Sequence, residues 1–457
     1  MNQQTRAELF RDKPVKTAVL TMILPAVISQ VISIVYNLAD VFFVGQIGDP
    51  NKVAAISLSM PLLIVSTAIG NLFGIGGSSA ISRALGEGDE ERAGRHAAFC
   101  FCGALGVSAL YSAGVLLFME PLLRGIGARD DTIVYAAQYV RLVVAAGSVP
   151  ASLSVTMSHM LRADGASRQS GFGLSMGGVV NILLDALAVM ALGWGVAGAA
   201  AATLASNLLS CGYYFLYFYC RRRTSCLRLR PRLRDFSKRV IAPVLSAGVP
   251  ASVQTFVVSL MYMMINRLAS AYGGVSVAAL GIVQKLDMIP QYVTLGISQG
   301  MIPLLGYNYA AKNSPRMLSA LHFGRGIAVG FSLLCLAVFE GFAPALVSGF
   351  IRDAATVEKG IRFLRIVCVC CPFMAYCNTT NALFQATGDV GKALNTALFR
   401  RLYGGIPLLF AMNALFGELG IAWTQPLVDV LATFLVAYLY RRCVAGQRAL
   451  ERPESRL

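Results

Sequence analysis

Apolar runs of roughly 20 residues recur along almost the whole chain, from near residue 18 to near residue 440. Each run is long enough to cross the hydrocarbon core of a bilayer, which is about 30 Å thick, as an α-helix. Only 14% of the 457 residues are charged, against about 25% in soluble proteins, which disfavours a soluble enzyme. The runs are continuous and do not alternate, which disfavours a membrane β-barrel. The sequence therefore predicts an all-α polytopic membrane protein.

The number of runs defines the predicted topology. We predict twelve transmembrane helices, which account for most of the chain and leave little length for a soluble domain. Their approximate limits are 18–44, 53–78, 96–118, 132–160, 168–191, 195–219, 240–270, 276–304, 317–342, 356–384, 391–413 and 420–440.

The net charge of +16 is distributed unevenly between the two sets of loops. The loops on one predicted side carry few basic residues, namely Lys52, Arg124, Arg129, Arg352 and Lys359. The N-terminus, the other loops and the C-terminus are strongly basic, above all the Arg-rich segment 221–239. Basic segments stay in the cytoplasm, so we expect both termini to be cytoplasmic. We interpret segment 221–239 as a topogenic loop near anionic lipid and expect no nucleic-acid partner.

The two halves of the chain repeat one plan when they are offset by about 224 residues. Segment 86–89 then falls on 310–313, and segment 161–165 falls on 384–388. Each copy has six predicted spans, so both copies enter and leave on the same side and form parallel repeats. We predict an N-terminal lobe (1–219), a basic cytoplasmic loop (220–239) and a C-terminal lobe (240–457) around a central cavity. This organisation suits a transporter that works by alternating access.

Acidic residues inside predicted spans are rare because burying a carboxylate in a bilayer is costly. Asp40 in the first span follows Tyr36 and Asn37 at spacings that place all three on one helix face. Asp185 in the fifth span follows Asn181 by one turn. Two helices of the first lobe thus each present an acid and an amide, and Thr203 in the sixth span adds a hydroxyl. Such oxygen groups suit a proton or a hard monovalent cation; the alternative is a structural hydrogen-bond network.

The second lobe does not repeat this acidic pair. Gln284, Lys285 and Asp287 lie together in the eighth span, where they either compensate each other's charge or bind substrate. Lys285 and Asp287 are two positions apart and do not share a helix face. Further residues are predicted to line a substrate cavity in this lobe, namely Met261, Asn378 and Asn381.

Signatures of nucleotide or metal chemistry are missing from the sequence. There is no P-loop, nucleophile elbow or zinc motif. The eleven cysteines and three histidines show no metal-ligand spacing, and we interpret the cysteines as small packing residues. We therefore expect no cofactor and no enzymatic activity, and a pump of this kind must use an ion gradient.

Several of these segments together resemble the MATE (multidrug and toxic compound extrusion) transporters, in particular their DinF-like and MepA-like bacterial members. The segments are 36–45, 83–86 with the acidic stretch that follows, 161–165 and 181–185. The resemblance extends over essentially the whole chain. It implies a twelve-helix antiporter with a V-shaped cavity, which exports bulky, often cationic and amphipathic compounds in exchange for H⁺ or Na⁺.

The resemblance also implies roles for individual residues. In relatives, a cation site in the N-terminal lobe uses positions that read Asp40, Asn181, Asp185 and Thr203 in this chain. These residues would be the metal ligands if Na⁺ were the coupling ion. Another branch uses acids of the seventh and tenth helices, which this sequence lacks.

Our main hypothesis is a monomeric multidrug antiporter of the cytoplasmic (inner) membrane, coupled to H⁺ or Na⁺. The alternative is a flippase for lipid-linked precursors from the same superfamily. A flippase of this kind should have a strongly cationic cavity for pyrophosphate, whereas the cations noted inside the spans are chiefly Arg267 and Lys285.

Overall fold

The computed structural model describes residues 8–45, 50–128, 130, 132–222 and 225–451. Within this part the chain is almost wholly helical and contains no strand. Both chain ends, residues 1–7 and 452–457, lie outside the described residues. The first half contains α1 (Val15–Gly45), α2 (Pro50–Gly86), α3 (Glu90–Leu117), α4 (Met119–Gly125), α5 (Ile133–Val140), α6 (Ser148–Ala163), α7 (Ser167–Asp185) and α8 (Gly195–Arg221). The second half contains α9 (Lys238–Ser270), α10 (Gly274–Ala310), α11 (Ser314–Ser348), α12 (Ala354–Cys368), α13 (Cys371–Thr387), α14 (Val390–Leu398) and α15 (Gly405–Glu451).

Short segments of wider or tighter helix complete this architecture. Among the described residues, π-helical turns occupy Glu8–Asp12, Arg141–Ala146, Ala186–Ala191 and Phe399–Tyr403, and a 3₁₀ turn occupies Leu233–Phe236. Three of these π-helical turns directly continue a helix. Arg141–Ala146 continues α5, Ala186–Ala191 continues α7, and Phe399–Tyr403 continues α14. They therefore lie inside predicted spans.

Eight of the described helical stretches are long and apolar enough to cross a membrane. The number rises to ten when two bent pairs each count as one span. These pairs, α5–α6 and α12–α13, are bent by 42° and 43°. They are the fourth and tenth predicted spans, so the same bend occurs at the same place in both halves.

The remaining two predicted spans are also present. The apolar stretch Val390–Ala445 contains two of them, because the helix geometry breaks at Gly417, where φ is 58° and ψ is −136°. A Cβ atom on Gly420 would overlap the carbonyl oxygen of Met412, so the chain doubles back there. The eighth span is α10, which has 37 residues and is not among the eight stretches counted above. The structure thus accommodates all twelve predicted helices.

Local capping confirms the offset between the halves. The Asp89 side chain caps α3 by accepting a hydrogen bond from the backbone N–H of Arg92 at 2.8 Å. Asn313, which is 224 residues later, caps α11 in the same way through Arg316 at 3.2 Å. Short polar side chains at this position satisfy a backbone donor that the first helical turn leaves unpaired. The predicted match between segments 86–89 and 310–313 therefore has a structural cause.

The contact between the halves shows the same symmetry. The halves pack through α2 against α9 and through α1 against α10. A Cβ atom on Gly76 of α2 would overlap the carbonyl oxygen of Val244. A Cβ atom on Gly300 of α10, again 224 residues later, would lie 2.9 Å from the carbonyl oxygen of Met22. Glycine at both positions lets the helix backbones approach closely.

Hydrogen bonds between the halves cluster at the helix ends that the charge distribution predicts to be cytoplasmic. The Arg83 guanidinium donates to the carbonyl oxygens of Thr387 and Pro243, each at 3.2 Å. The Ser79 hydroxyl donates to the carbonyl oxygen of Gln385 at 2.6 Å. The halves are thus joined at this end by polar contacts to backbone carbonyls.

We predict the orientation of the chain from this arrangement and test it with single cysteines. Glu87→Cys and Lys312→Cys should react with a membrane-impermeant maleimide only after cells are permeabilised. Glu120→Cys should react in intact cells, because it lies at the opposite end. Arg352→Cys serves as a second external site. The side chains at all four positions, Glu87, Lys312, Glu120 and Arg352, are exposed.

The background should carry serine at Cys102, Cys220 and Cys226, which are the described cysteines that are not buried. Asp164 is unsuitable as a labelling site because its side chain is buried and accepts a hydrogen bond from Ser225. Labelling of Lys312→Cys in intact cells would contradict the predicted orientation.

Candidate cation and substrate site

Asp185 occupies a special position at the end of α7. It is followed directly by the π-helical turn Ala186–Ala191, and such turns occur frequently at functional sites. The side chain is only 1% exposed. Its Oδ1 atom has no hydrogen-bond partner within the described structure. A buried carboxylate oxygen without a partner is costly and needs a functional or structural explanation.

Asn181 lies one turn before Asp185 and connects it to α8. In one orientation, the amide nitrogen donates to the Thr203 hydroxyl at 3.4 Å, and the amide oxygen faces the Asp185 carboxylate. In the reversed orientation, the nitrogen donates to Asp185 Oδ2 at 2.7 Å, and the oxygen accepts the backbone N–H of Thr203 at 3.3 Å. The second arrangement pairs each amide atom with a complementary partner, whereas the first brings two oxygens together. Amide orientation is assigned from such partners.

Helix α1 adds two polar groups to this cluster. The Tyr36 hydroxyl lies beside Thr203 and interacts electrostatically with both Asp40 and Asp185. Asp40 is half-buried and interacts electrostatically with Asp185. The structure therefore brings together side chains from α1, α7 and α8 that sequence analysis selected independently; they are Tyr36, Asp40, Asn181, Asp185 and Thr203.

Two residues of this region differ from what the sequence led us to expect: one predicted residue lies apart from the cluster, and one unpredicted residue joins it. The Asn37 amide donates to the carbonyl oxygen of Ser33 in its own helix at 2.6 Å and, within the described structure, makes no hydrogen bond to either carboxylate. Tyr139, which sequence analysis missed, is only 3% exposed and interacts electrostatically with Asp40 and Asp185. Tyr139 lies on α5 just before a π-helical turn.

In the second half, Gln284 and Asp287 of α10 line a small cavity of about 40 Å³. Tyr262 and Gln425 add polar groups to a lining that is otherwise apolar. The Asp287 side chain is 6% exposed; its Oδ2 atom accepts a hydrogen bond from Gln291, and its Oδ1 atom has no partner within the described structure. The cavity is thus amphipathic and contains one incompletely satisfied carboxylate.

Lys285 and Asp287 do not form an ion pair in the described structure. The two positions lie on different faces of α10. Lys285 interacts electrostatically with Asp40 in the first half instead. Charge compensation between these neighbours, one of the two interpretations of the sequence, is therefore not the arrangement in the structure.

The other residues predicted for the substrate cavity have structural partners. Met261 is 1% exposed and packs in the apolar core of the second half. The Asn381 amide donates to Gln254 at 3.5 Å. The Asn378 amide donates to Thr294 at 3.4 Å and accepts from Arg400 at 2.8 Å. These contacts favour a structural role for Met261 and Asn378.

A buried charge network lies beside the cavity. Arg400 Nε donates to Asp429 Oδ1 at 2.8 Å, and both side chains are almost fully buried. Gln425 donates to Asp429 Oδ2 at 2.9 Å and accepts from Arg401 at 2.8 Å. Both arginines belong to the π-helical turn Phe399–Tyr403. Sequence analysis named chiefly Arg267 and Lys285 as cations inside the spans, although two adjacent arginines in the predicted span 391–413 were a signal of such a network.

Three potential metal-ligand groups meet near the same cavity. The Asp287 carboxylate and the Cys370 and Cys371 thiols have ligand atoms within 4.8 Å of one another. All three side chains are buried. Thiols are weak hydrogen-bond donors, so this packing is compatible with the structural role predicted for the cysteines.

Comparison with known proteins gives matches along nearly the whole chain. The family model MatE matches residues 25–187 and 250–410, once in each half. The Multidrug export protein MepA of Staphylococcus aureus (strain N315) is 27% identical over 438 residues, covering 94% of this chain and 95% of the relative. MepA of Staphylococcus saprophyticus is 26% identical over 435 residues with the same coverage.

Solved structures agree with these sequence matches. A multidrug resistance MATE family transporter of the MOP superfamily, in an outward-facing conformation, superposes with a TM-score of 0.90 and 25% identity. A MOP superfamily transporter from Pyrococcus furiosus, described as having a binding pocket of reverse polarity, has a TM-score of 0.86 and 25% identity. Each comparison covers 97% of this chain and 98% of the other.

The buried network generates a stability prediction. Asp429→Asn leaves Arg400 buried without its carboxylate, which should cost about 3–5 kcal/mol. We expect much less folded protein and a lower thermal midpoint in detergent. Asp287→Asn is the matched control, because no ion pair to Asp287 occurs in the described structure, and should have a smaller effect.

Replacing both Arg400 and Asp429 shows whether the instability of Asp429→Asn comes from the unpaired charge of Arg400 or from the change of the Asp429 side chain itself. The double variant Arg400→Met, Asp429→Leu should recover part of the stability that Asp429→Asn loses, because no unpaired charge stays buried. Equal damage from Asp287→Asn and Asp429→Asn would contradict this account.

Proposed function

The chain belongs to the MatE family of membrane transporters, and from this we propose that it is a cation-coupled antiporter that exports amphipathic, often cationic compounds. The observation that carries the proposal is the convergence of Asp40 and Asp185 with amide and hydroxyl groups inside the membrane. Intramembrane acids of this kind persist mainly where they bind ions or protons. The multidrug export function of the MepA relatives supports the substrate class.

The chemistry of the cluster suits H⁺ or Na⁺. Protons and hard cations bind to oxygen atoms, and Asp40, Asp185, Asn181 and Thr203 all supply them. The Asn181 amide suits both charge states of the site. Its nitrogen faces Asp185 when the carboxylate is negative, and its oxygen faces Asp185 when a proton or cation lies between them.

The coupling follows from the cost of buried charge. A proton or Na⁺ taken up from outside neutralises the carboxylates and favours a different packing of the helices, which releases the exported compound. Exposure to the cytoplasm then discharges the cation. Each ligand acts only through its different affinities for the two conformations. The inward opening requires the contacts of Ser79 and Arg83 between the halves to break.

We assign the lobes to residues 1–219 and 240–457, with the loop 220–239 and both termini in the cytoplasm. The protein would act as a monomer in the plasma membrane, since one chain supplies both lobes. Gln284 and Asp287 would contact substrate in the second lobe, because both line its cavity.

The flippase alternative receives less support. Arg400 and Arg401 add cations to the second half, but Asp429, Asn378 and Gln425 bind them there. A pyrophosphate site needs cations that are available to the ligand.

The decisive experiment is transport by the purified protein in proteoliposomes. A cationic fluorescent dye should move against its gradient when an inward-directed pH or Na⁺ gradient is imposed. It should also exchange with unlabelled dye in the absence of any gradient. Movement that follows neither gradient, together with no exchange, would contradict the proposed function.

Replacing one carboxylate should separate coupling from binding. We expect Asp40→Asn to lower gradient-driven export at least about tenfold, because the amide cannot gain or lose a proton. Binding of the dye should partly survive, since the shape of the side chain is kept and Asp185 retains its carboxylate.

Asn37→Ala is the matched control on the same helix face. Its amide bonds only to its own helix among the contacts described, so export should persist. An Asp40→Asn variant that still concentrates dye in response to either gradient would place the coupling site elsewhere.

A further inference from the structure

We propose that Lys285 determines substrate specificity by binding the anionic group of a zwitterionic substrate opposite the carboxylates of Asp40 and Asp185. The proposal rests on the proposed transport function and adds a substrate class to it. It assigns opposite charges to opposite sides of the substrate path, with acids on the first half and an ammonium group on the second.

The register between α1 and α10 places Lys285 at the level of Asp40. A Cβ atom on Gly300 would lie 2.9 Å from the Cα atom of Ile23, and one on Gly296 would lie 2.9 Å from that of Val27. Four residues along one helix thus correspond to four residues back along the other, so the helices are antiparallel. Continued to Asp40, this register reaches residue 283. Lys285 is two residues away, which is about 3 Å of helix rise.

The two charges face each other without neutralising each other. Asp40 and Lys285 interact electrostatically, and both side chains are half-buried. No salt bridge joins them within the described structure. The two groups thus attract each other without a direct ion pair, and in the proposed complex the ligand lies between them.

The remaining charges near Lys285 are engaged elsewhere. Asp287 points to a different face of α10 and accepts a hydrogen bond from Gln291. Asp429 binds Arg400 inside the second half. The ammonium group of Lys285 is therefore available to a ligand that also reaches the acids of the first half.

This arrangement discriminates between ligands by charge. A monocation attracted to Asp40 and Asp185 brings its positive charge towards Lys285 and is repelled there. A zwitterion is attracted at both of its charges, by the two carboxylates at its positive group and by Lys285 at its negative group. Opposite charges attract more strongly away from bulk water. A repulsive element of this kind is a common source of specificity.

A matched pair of dyes tests the proposal on the full chain. The probes are a rhodamine with a free carboxylate, which is a zwitterion, and its ethyl ester, which is a monocation. Binding to purified protein is measured by fluorescence polarisation. We expect the wild-type protein to prefer the zwitterion about tenfold, as one complementary charge pair would give.

Variants at Lys285 identify the origin of the preference. Lys285→Met should abolish it, by weakening zwitterion binding and strengthening ester binding, while Lys285→Arg should retain it. If the methionine variant does not fold, Lys285→Gln provides the same comparison. A wild-type protein that prefers the ester, or binds neither dye, would overturn the proposal, as would a ratio unchanged in the neutral variant.

The outcome is separable from that of the proposed function. Gradient-driven movement of both dyes with a ratio that Lys285→Met leaves unchanged would overturn the role of Lys285 alone. Absence of gradient-driven movement and of exchange for every dye would overturn the antiporter itself.

Discussion

The structure depends on one constraint, which is the absence of water from the hydrocarbon core of a bilayer. Backbone groups must pair internally, so the chain is helical, and each polar side chain needs a partner. Arg400 and Asp429 meet this demand through their ion pair at 2.8 Å and the amides around it. Asp185 and Asp287 do not, since each has one carboxylate oxygen without a partner in the described structure. We therefore infer that function concentrates at the incompletely paired carboxylates rather than at buried charge in general.

Much of the fold was predictable because the decisive signals are local or repetitive. The apolar runs define the spans, and the 224-residue offset predicts the correspondence of Asp89 with Asn313, which cap equivalent helices. The bends of 42° and 43° in the fourth and tenth spans had a local signal that sequence analysis did not use. Pro150 and Pro372 lie just after the two breaks, and proline commonly bends or interrupts a helix. The π-helical turns were not predictable, because one extra residue per turn leaves no distinct pattern in composition.

The candidate site was predictable only within single helices. Helical spacing placed Asn181 beside Asp185, and the structure shows this contact. Which helices meet depends on tertiary packing, so Tyr139 and the partner of Lys285 were not accessible to sequence reasoning. Lys285 illustrates the difference clearly. Its nearest acid in sequence is Asp287, yet a separation of two residues turns the side chains apart, and the charge that faces Lys285 comes from the other half of the chain.

Duplication gave the halves the same packing, so their differences in polar residues need a separate explanation. In the first half, Asp40 and Asp185 lie close together, and no basic residue forms an ion pair with either in the described structure. Adding or removing one positive charge there breaks no salt bridge. In the second half, Asp429 is held by Arg400, and neutralising it would leave an arginine buried without a counter-charge. Of these two arrangements, only the first can change its charge without breaking an ion pair, and it holds two neighbouring acids where the second half has the single unpaired carboxylate of Asp287; on this basis we propose that ion coupling lies in the first half. In that proposal the second half supplies the ammonium group of Lys285, whose attraction to the first half would vary with the cation bound there.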